Sequence, residues 1–406
     1  MAAGPSAPDQ GRAPRRVWSS AAVRVMSRRL RIGLITGEYP PMKGGVGQHC
    51  AMLASMLSEA GQEVSVFSDV RARSLDDRVV VEAAAARWGI GIARAIGRWA
   101  ERQRLDVINL HFQTAAYGMS PWVHFLPDRL RRPFVTTFHD LRVPYLFPKA
   151  GPIRPWIVRR LAQASSGVIC TNHEDFGQVA WHGQRALIPI GSSVPASPRD
   201  TTRVREVRQV MGAAADAFVV AYFGFINHSK GVDVLLDAVS TLKRPVQVWM
   251  VGDSLGASDP TNGAEVRRVE SKIRDLGLDR MTRKTGPLQE DEIAAYLQAA
   301  DAVALPFRDG ASYRRSSLMA AINAGVPIVT TRPTVAIETF IDGENMLFAE
   351  RGDSHTLAAQ LARLAGDPAL ADRLRGGAME LTAAFAWPGI AQAHIDFFDS
   401  VLERPA

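Results

Sequence analysis

Two stretches of the chain share one design, and together they decide the fold. Residues 30–47 read LRIGLITGEYPPMKGGVG, and residues 222–231 read YFGFINHSKG. Each stretch runs from an apolar strand through a glycine-containing loop into a helix, which is the unit that builds parallel sheets wrapped by helices. We therefore predict an α/β protein with two doubly wound parallel sheets, one beginning at each stretch.

Strand and helix patterns alternate outward from both stretches. The chain has 406 residues, which is long enough for two domains. We predict a first domain over residues 30–197, a polar linker over 198–215, a second domain over 216–385, and a terminal helix over 386–406 that packs back toward the first domain. The two sheets then face a central cleft, and ligands of open α/β sheets bind at the carboxyl ends of the strands.

The positive charge of the chain is concentrated at its N-terminus. Lys and Arg number 48 against 41 Asp and Glu, a formal charge of +7. Residues 1–31 hold seven arginines and one acidic residue, so the remainder is nearly neutral. We predict a disordered basic tail over residues 1–29 and no nucleic-acid partner. Met26 is a hypothetical alternative to Met1 as the start of translation.

Cysteine usage and hydropathy indicate the compartment. Cys50 and Cys170 are the only cysteines, too few for a disulfide framework. No apolar run approaches the length of a membrane-spanning helix. We predict a cytoplasmic protein and leave the inner face of the membrane open as its location.

Residues 83–104 are the reason for leaving membrane contact open. They are predicted to form a helix with one apolar stripe, built on Trp88, Ile92, Ile96 and Trp99, and one arginine stripe. A basic amphipathic helix can lie on anionic lipid. The favoured interpretation is that the apolar stripe packs on the first sheet, as in any helix that covers a sheet.

The glycine loop after the first strand favours an anion in front of the following helix. A dinucleotide-binding loop would place G-x-G-x-x-G directly after the strand. This loop is long, and Cys50 stands where that motif has its third glycine. This counts against a nicotinamide or flavin enzyme. A glycine-rich turn without a ligand is the alternative.

Two further loops carry cations next to predicted helix starts. Lys230 ends the second stretch and can neutralise a phosphate there, although a solvated surface lysine is the alternative. Arg314 and Arg315 directly precede Ser316, which we predict to cap the next helix. Two adjacent arginines at such a position form a dense phosphate site.

Together with AGVP at residues 324–327 and IDGEN at residues 341–345, these motifs resemble the retaining glycosyltransferases of family 4. The similarity extends from Arg31 to the terminal helix. It implies the GT-B fold, in which two Rossmann-like domains face a cleft. It also implies transfer of a sugar from a nucleotide diphosphate-sugar to a glycan, a lipid-linked glycan or a small molecule, with retention and without a metal or other cofactor.

The resemblance also implies roles for particular residues. A histidine in a D-V-x-x-x-H setting contacts the transferred sugar, which matches His111, and His139 matches a second histidine near the cleft. We predict that the catalytic residues are His111, Lys230 and Arg315. The predicted donor-binding residues are Gly45, Gly47, Lys230, Asp309, Ser312, Arg314, Arg315, Ser316 and Glu338.

The sequence departs from the family pattern at the donor site. Phe225 stands where the family commonly has arginine, and Ser312 and Ala320 stand where it has two glutamates. We hypothesise that Arg314 and Arg315 replace the missing positive charge, and that Asp309 or the Ser312 hydroxyl replaces part of the sugar contact.

The missing glutamates leave two alternatives open. One is a catalytically inactive sugar-nucleotide-binding partner of a related transferase, and the other is a sugar-nucleotide epimerase of the same fold. The close carboxylate pair of retaining glycosidases cannot be placed from the sequence. The resemblance implies instead that the departing diphosphate helps to accept the proton of the acceptor.

Overall fold

The computed structural model describes residues 28–42, 44–141, 153–253 and 262–403. Most of the predicted basic tail, residues 1–27, lies outside the described residues. The described part forms two parallel sheets with helices on both faces, so the doubly wound α/β prediction is confirmed.

The first sheet has seven strands, all paired in parallel. They are β1 (Arg31–Ile35), β2 (Glu63–Asp69), β3 (Val80–Ala85), β4 (Val107–Phe112), β5 (Phe134–Phe138), β6 (Gly167–Cys170) and β7 (Arg185–Leu187). Its helices are α1 (Gly45–Glu59), α2 (Ile92–Arg102), α3 (Ile153–Ala164) and α4 (His173–Gln178). Short 3-10 helices connect β4 to β5 at Thr114–Tyr117, Pro121–Phe125 and Pro127–Arg129.

The second sheet has six parallel strands. They are β8 (Phe218–Phe223), β9 (Val246–Val251), β10 (Thr282–Lys284), β11 (Ala302–Leu305), β12 (Ile328–Thr331) and β13 (Leu347–Ala349). The helices from the linker onward are α5 (Thr201–Val210), α6 (Val232–Ser240), α7 (Asn262–Asp275), α8 (Glu290–Ala299), α9 (Ser316–Asn323), α10 (Ser354–Gly366), α11 (Pro368–Thr382) and α12 (Trp387–Leu402).

Both sheets have the same strand order, and this order positions the site. The first runs β3-β2-β1-β4-β5-β6-β7 and the second β10-β9-β8-β11-β12-β13. The order reverses between β1 and β4 in one sheet and between β8 and β11 in the other. A crevice opens at the carboxyl ends of the strands at such a reversal, which we call the switch point, and ligands of this fold bind there.

Two parts of the chain connect the halves of the molecule. One is the segment between the two sheets, and the other is the terminal helix. The predicted linker contains α5, whose N-cap Asp200 accepts hydrogen bonds from the Thr202 and Arg203 amides. Helix α12 returns to the first sheet and packs on α1. At its start, the Trp387 indole donates to the Ser192 carbonyl at 2.7 Å.

The helix predicted over residues 83–104 is wrong in its first half. Residues Val80–Ala85 form the edge strand β3, and α2 begins only at Ile92. Because β3 is short and ends in alanines, which favour helix, its sequence resembled the start of α2.

The apolar stripe of α2 packs on the first sheet, as the favoured interpretation predicted. Ile96 and Trp99 are fully buried, and the Trp99 indole donates to Ser65 Oγ at 3.0 Å. Within the described ranges, no helix combines the length and the apolar character needed to cross a lipid bilayer.

Candidate active site

The loop after β8 carries Lys230 into the switch point of the second sheet. Lys230 ends a 3-10 turn, and Gly231 follows with φ of 68°. A Cβ atom on Gly231 would lie 2.1 Å from the Pro306 carbonyl oxygen, so only glycine allows this close approach. The approach brings the buried Lys230 ammonium to the start of α9, where it donates to Ser317 Oγ at 3.1 Å.

Arg314 and Arg315 join Lys230 from the loop between β11 and α9, and we call these three residues the cation cluster. Arg314 Nη2 donates to Asp309 Oδ2 at 2.9 Å, and Arg315 donates to the other oxygen of the same carboxylate. The Arg315 guanidinium also lies over the Phe307 ring, 4.8 Å from its centroid. The two arginine side chains are only 7% and 11% exposed.

The cation cluster also reaches across the cleft to the first domain. Arg314 Nη1 lies 3.6 Å from a carboxylate oxygen of Asp140 and 3.6 Å from one of Glu174. Sequence reasoning missed both acids, although each follows a histidine just after a strand, at the edge predicted to face the cleft. Arg314 therefore links the carboxyl ends of the two sheets.

Burial lowers the pKa of two members of the cation cluster, Lys230 and Arg315. Burial, followed by repulsion from Arg315, lowers the pKa of Lys230 to about 7, against the attraction of Asp309. Burial also lowers the pKa of Arg315, and Asp309 opposes that shift. These side chains are thus cations held in a poorly solvated site, which an additional anion would stabilise.

The start of α9 adds backbone donors to the cation cluster. The predicted cap Ser316 is wrong as a cap, because α9 begins at Ser316 and its N-cap is Arg315. The Arg315 amide donates to the Ser312 carbonyl at 3.1 Å, and this turn leads into the helix one residue earlier than a Ser316 cap would. The Arg315 side chain forms no capping bond in the described structure, so first-turn N–H groups remain available to an anion.

The remaining predicted donor residues differ in their placement. The Ser312 hydroxyl accepts from the Arg314 amide at 3.4 Å and so serves its own loop. Glu338 is exposed, and its charge acts on His173 and Tyr313. Ala320, at a position of a family glutamate, is buried in α9 with 1% exposure.

The two glycines of the first loop have different surroundings. A Cβ atom on Gly47 would lie 2.8 Å from the Glu38 carbonyl oxygen, so this glycine lets α1 pack closely against the loop. A Cβ atom on Gly45 would meet no described atom within 4 Å. Gly45 begins α1, whose first turn carries no acidic residue. The first residue of α1, Gly45, therefore faces open space.

Four buried histidines meet at the switch point of the first sheet, and we call them the histidine cluster. They are His49 of α1, His111 of β4, His139 after β5 and His394 of α12. His111 Nδ1 and His139 Nε2 are hydrogen-bonded at 3.1 Å, and the His49 ring meets His139 edge-on at 4.9 Å. The structure thus brings the predicted pair His111 and His139 together and adds two histidines that sequence reasoning missed.

The histidine cluster is electrically neutral around physiological pH. Burial lowers the pKa of His139 to about 3 and that of His394 to about 4. Burial, and then repulsion from neighbouring histidines, lowers the pKa of His49 and His111 well below the usual value. These imidazoles can exchange hydrogen bonds with a ligand but do not offer it a positive charge.

A cavity of about 680 Å³ opens at the carboxyl ends of the strands of the first sheet, which is the edge at which the histidine cluster also lies. It lies between the loop after β1, represented by Glu38 and Met42, and the loop after β4, represented by Tyr117 and Ser120. Trp88 forms another part of its wall. Its size fits a small ligand or the end of a larger one.

Two Rossmann-like domains that face each other across a cleft define the GT-B class of glycosyltransferases. HepE of Anabaena, solved in complex with UDP and glucose, superposes with a TM-score of 0.74 and 19% identity, covering 92% of this chain and 100% of that one. The GT-B prediction is thus confirmed.

The family is shown by sequence comparison. The family model described as Glycosyltransferase Family 4 matches residues 43–186, and the one described as Glycosyl transferases group 1 matches residues 217–367. The D-inositol 3-phosphate glycosyltransferase of Corynebacterium jeikeium is 30% identical over 308 residues, which cover 71% of this chain and 70% of that protein. Its counterpart in Corynebacterium diphtheriae is 25% identical over 413 residues and covers 89% and 93%. The chain belongs to glycosyltransferase family 4 and is a glycosyltransferase.

Proposed function

We propose that this glycosyltransferase takes a sugar from a nucleotide diphosphate-sugar and transfers it with retention of anomeric configuration. The observation that carries the proposal is the buried cation cluster. Lys230, Arg314 and Arg315 are held out of solvent, and Asp309 is the carboxylate that bonds both arginines. A diphosphate would supply the anionic charge that burial makes favourable at this point.

The same residues would stabilise the leaving group. As the bond between sugar and diphosphate breaks, negative charge grows on the diphosphate, and preorganised cations and helix N–H groups lower the energy of that state. Lys230 and Arg315 and the start of α9 supply those groups. Because these side chains would stabilise the negative charge on the diphosphate, the proposed reaction includes no step at a metal.

The first domain would position the sugar and the acceptor. His111 Nε2 has no hydrogen-bond partner in the described chain, and a sugar hydroxyl is a suitable partner for a neutral imidazole. His139 is bonded to the other ring nitrogen of His111 and would fix its orientation. The neighbouring cavity would receive the acceptor, whose proton passes to an oxygen of the departing diphosphate.

The comparisons support the donor class and suggest the first acceptor to try. HepE was solved with UDP, and the two curated relatives are named for D-inositol 3-phosphate. These names do not favour the inactive partner or the epimerase. We extend the proposal to an acceptor hydroxyl on a glycan, a lipid-linked glycan or a small molecule such as an inositol phosphate.

Product analysis tests the proposal. The protein is incubated with a panel of nucleotide diphosphate-sugars, each with and without D-inositol 3-phosphate and simple glycan acceptors. We expect acceptor-dependent release of one nucleoside diphosphate and a product whose anomeric proton, read by NMR, shows the configuration of the donor. An inverted product contradicts retention. No release with any pair supports the inactive partner, and an altered sugar nucleotide without acceptor supports the epimerase.

A further inference from the structure

The histidine cluster contains more unsatisfied buried nitrogen atoms than a packed core normally tolerates. Both ring nitrogens of His49, Nε2 of His111 and Nε2 of His394 have no hydrogen-bond partner among the residues that the structure describes. His49 is 6% exposed, and His111 and His394 are 0% and 1% exposed. Buried polar atoms in native proteins are nearly always paired, and each exception calls for an explanation, of which an ion is one.

Three of these histidines are arranged so that they can share one ligand. One nitrogen each from His49, His111 and His139 lies within 4.8 Å of the other two. The His111 and His139 nitrogens that face each other are 3.1 Å apart. A tetrahedral zinc ion with bonds of about 2.0–2.1 Å separates two ligand nitrogens by roughly 3.3 Å. The two nitrogens now share a hydrogen bond, and a metal bound by both would replace it with only a slight widening of their separation.

The third imidazole can complete the arrangement with a small movement. No hydrogen bond to another described residue restrains the His49 ring. Its contacts are ring packing, edge-on against His139 and tilted at 5.3 Å against Trp387. A change in the orientation of the ring would therefore break no hydrogen bond of His49 to a described residue.

We propose that His49, His111 and His139 form a site for a divalent transition metal, of which zinc is the representative. Three neutral imidazoles are ligands that suit zinc, copper, nickel and cobalt rather than magnesium or calcium. The fourth position is left to an oxygen ligand, as in three-histidine zinc sites. The site goes beyond the proposed function, which needs no metal, and binding there would occupy the two histidines assigned to the sugar.

Zinc binding to the metal-free full chain tests the proposal. Equilibrium dialysis with elemental analysis is carried out on the wild type, His49→Gln, His139→Gln and the control His394→Gln, after each variant is shown to unfold cooperatively. We expect one tightly bound zinc ion in the wild type and in His394→Gln. Affinity should fall by about 100-fold or more in His49→Gln and His139→Gln, since each loses a ligand.

A second measurement keeps the proposal falsifiable if a variant fails to fold. Cobalt replaces zinc in the wild type, and the visible absorption of the bound ion reports whether its geometry is tetrahedral or octahedral. Tetrahedral cobalt supports the site. Octahedral cobalt, absence of a tight zinc ion in the wild type, or equal zinc affinity in His49→Gln would each overturn it. Neither readout depends on transferase activity, so failure of one proposal is distinguishable from failure of the other.

Discussion

The cation cluster and the histidine cluster occupy equivalent places in two similar domains, yet one is positively charged and the other is neutral. Each lies at the carboxyl ends of strands where the order of its sheet reverses. One gathers Lys230, Arg314 and Arg315 around Asp309. The other gathers four imidazoles that burial keeps neutral. The fold thus supplies two crevices, and the side chains make one of them cationic and leave the other neutral.

Burial acts on both clusters in the same direction but leaves them in different states. It lowers the pKa of Lys230 to about 7 and the pKa of His139 to about 3. Lysine begins from a much higher value, so the same physical effect leaves it largely able to carry charge near neutral pH. The choice of residue type, rather than the degree of burial, therefore separates the cation cluster from the histidine cluster.

The largest expected effect is acid destabilisation by the histidine cluster. In the unfolded chain an imidazole has a pKa near 6.5, whereas folding lowers that of His394 to about 4. Between these values the unfolded state binds a proton that the folded state excludes, so the free energy of unfolding falls as pH falls. The expected slope is about 1.4 kcal/mol per pH unit for each such histidine. Denaturant unfolding at several pH values from 6.5 to 4.5 measures it.

The variant His394→Phe isolates one member of the histidine cluster. It keeps a ring beside Phe398 and removes the titration, so the slope between pH 6.5 and 4.5 should decrease by about 1.4 kcal/mol per pH unit. The same change at an exposed position, His355→Phe, is the control for replacing a histidine by phenylalanine. Equal slopes in wild type and His394→Phe would show that this histidine is not held neutral by the fold.

We expect Lys230→Met to lower the transferase activity and to raise the stability of the fold. Removing a cation aimed at the leaving diphosphate should lower kcat/KM for transfer by about 100-fold. The same change should raise the free energy of unfolding at pH 7 by about 1–4 kcal/mol, because folding no longer buries a group whose pKa it depresses. That gain should shrink as pH rises from 7 and vanish above about 10.5, where lysine is neutral in both states.

Lys243→Met provides the matched control for this prediction. Lys243 is exposed and precedes β9, at the opposite edge of the same sheet. It should change neither transfer nor stability by a measurable amount. If Lys230→Met proved less stable than wild type and fully active, Lys230 would be a structural residue instead.

The fold and its two crevices could be predicted because each strand-loop-helix unit is recognisable in the sequence, from an apolar strand followed by a glycine-containing loop and a helix. The motif around Lys230 and the arginine pair likewise predicted a cluster of cations at the edge of the second sheet, and its role as the donor site stays a prediction. The edge strand β3 could not be found, since Val80–Ala85 is short and ends in alanines that favour helix.

Contacts between distant segments were the part that the sequence did not reveal. Asp140 and Glu174 meet Arg314 only because the two sheets face each other, and no spacing along the chain encodes that distance. His49 and His394 lie on helices from opposite ends of the chain, which meet because α12 packs on α1. Ser316 was misassigned as a cap because a turn at Ser312 shifts the helix start, and such a turn depends on backbone geometry.

The central claim is that the cation cluster binds the diphosphate of the donor, and calorimetric titration tests it most directly. The preferred nucleoside diphosphate and its nucleoside are each titrated into the wild type, Arg315→Gln and the control Arg280→Gln, whose exposed arginine precedes β10 at the opposite sheet edge. A charge-assisted bond contributes about 1.5–3 kcal/mol, so Arg315→Gln should bind the diphosphate at least about tenfold more weakly. Its affinity for the nucleoside and both affinities of Arg280→Gln should remain those of the wild type. Equal diphosphate affinity in Arg315→Gln and the wild type would contradict the account.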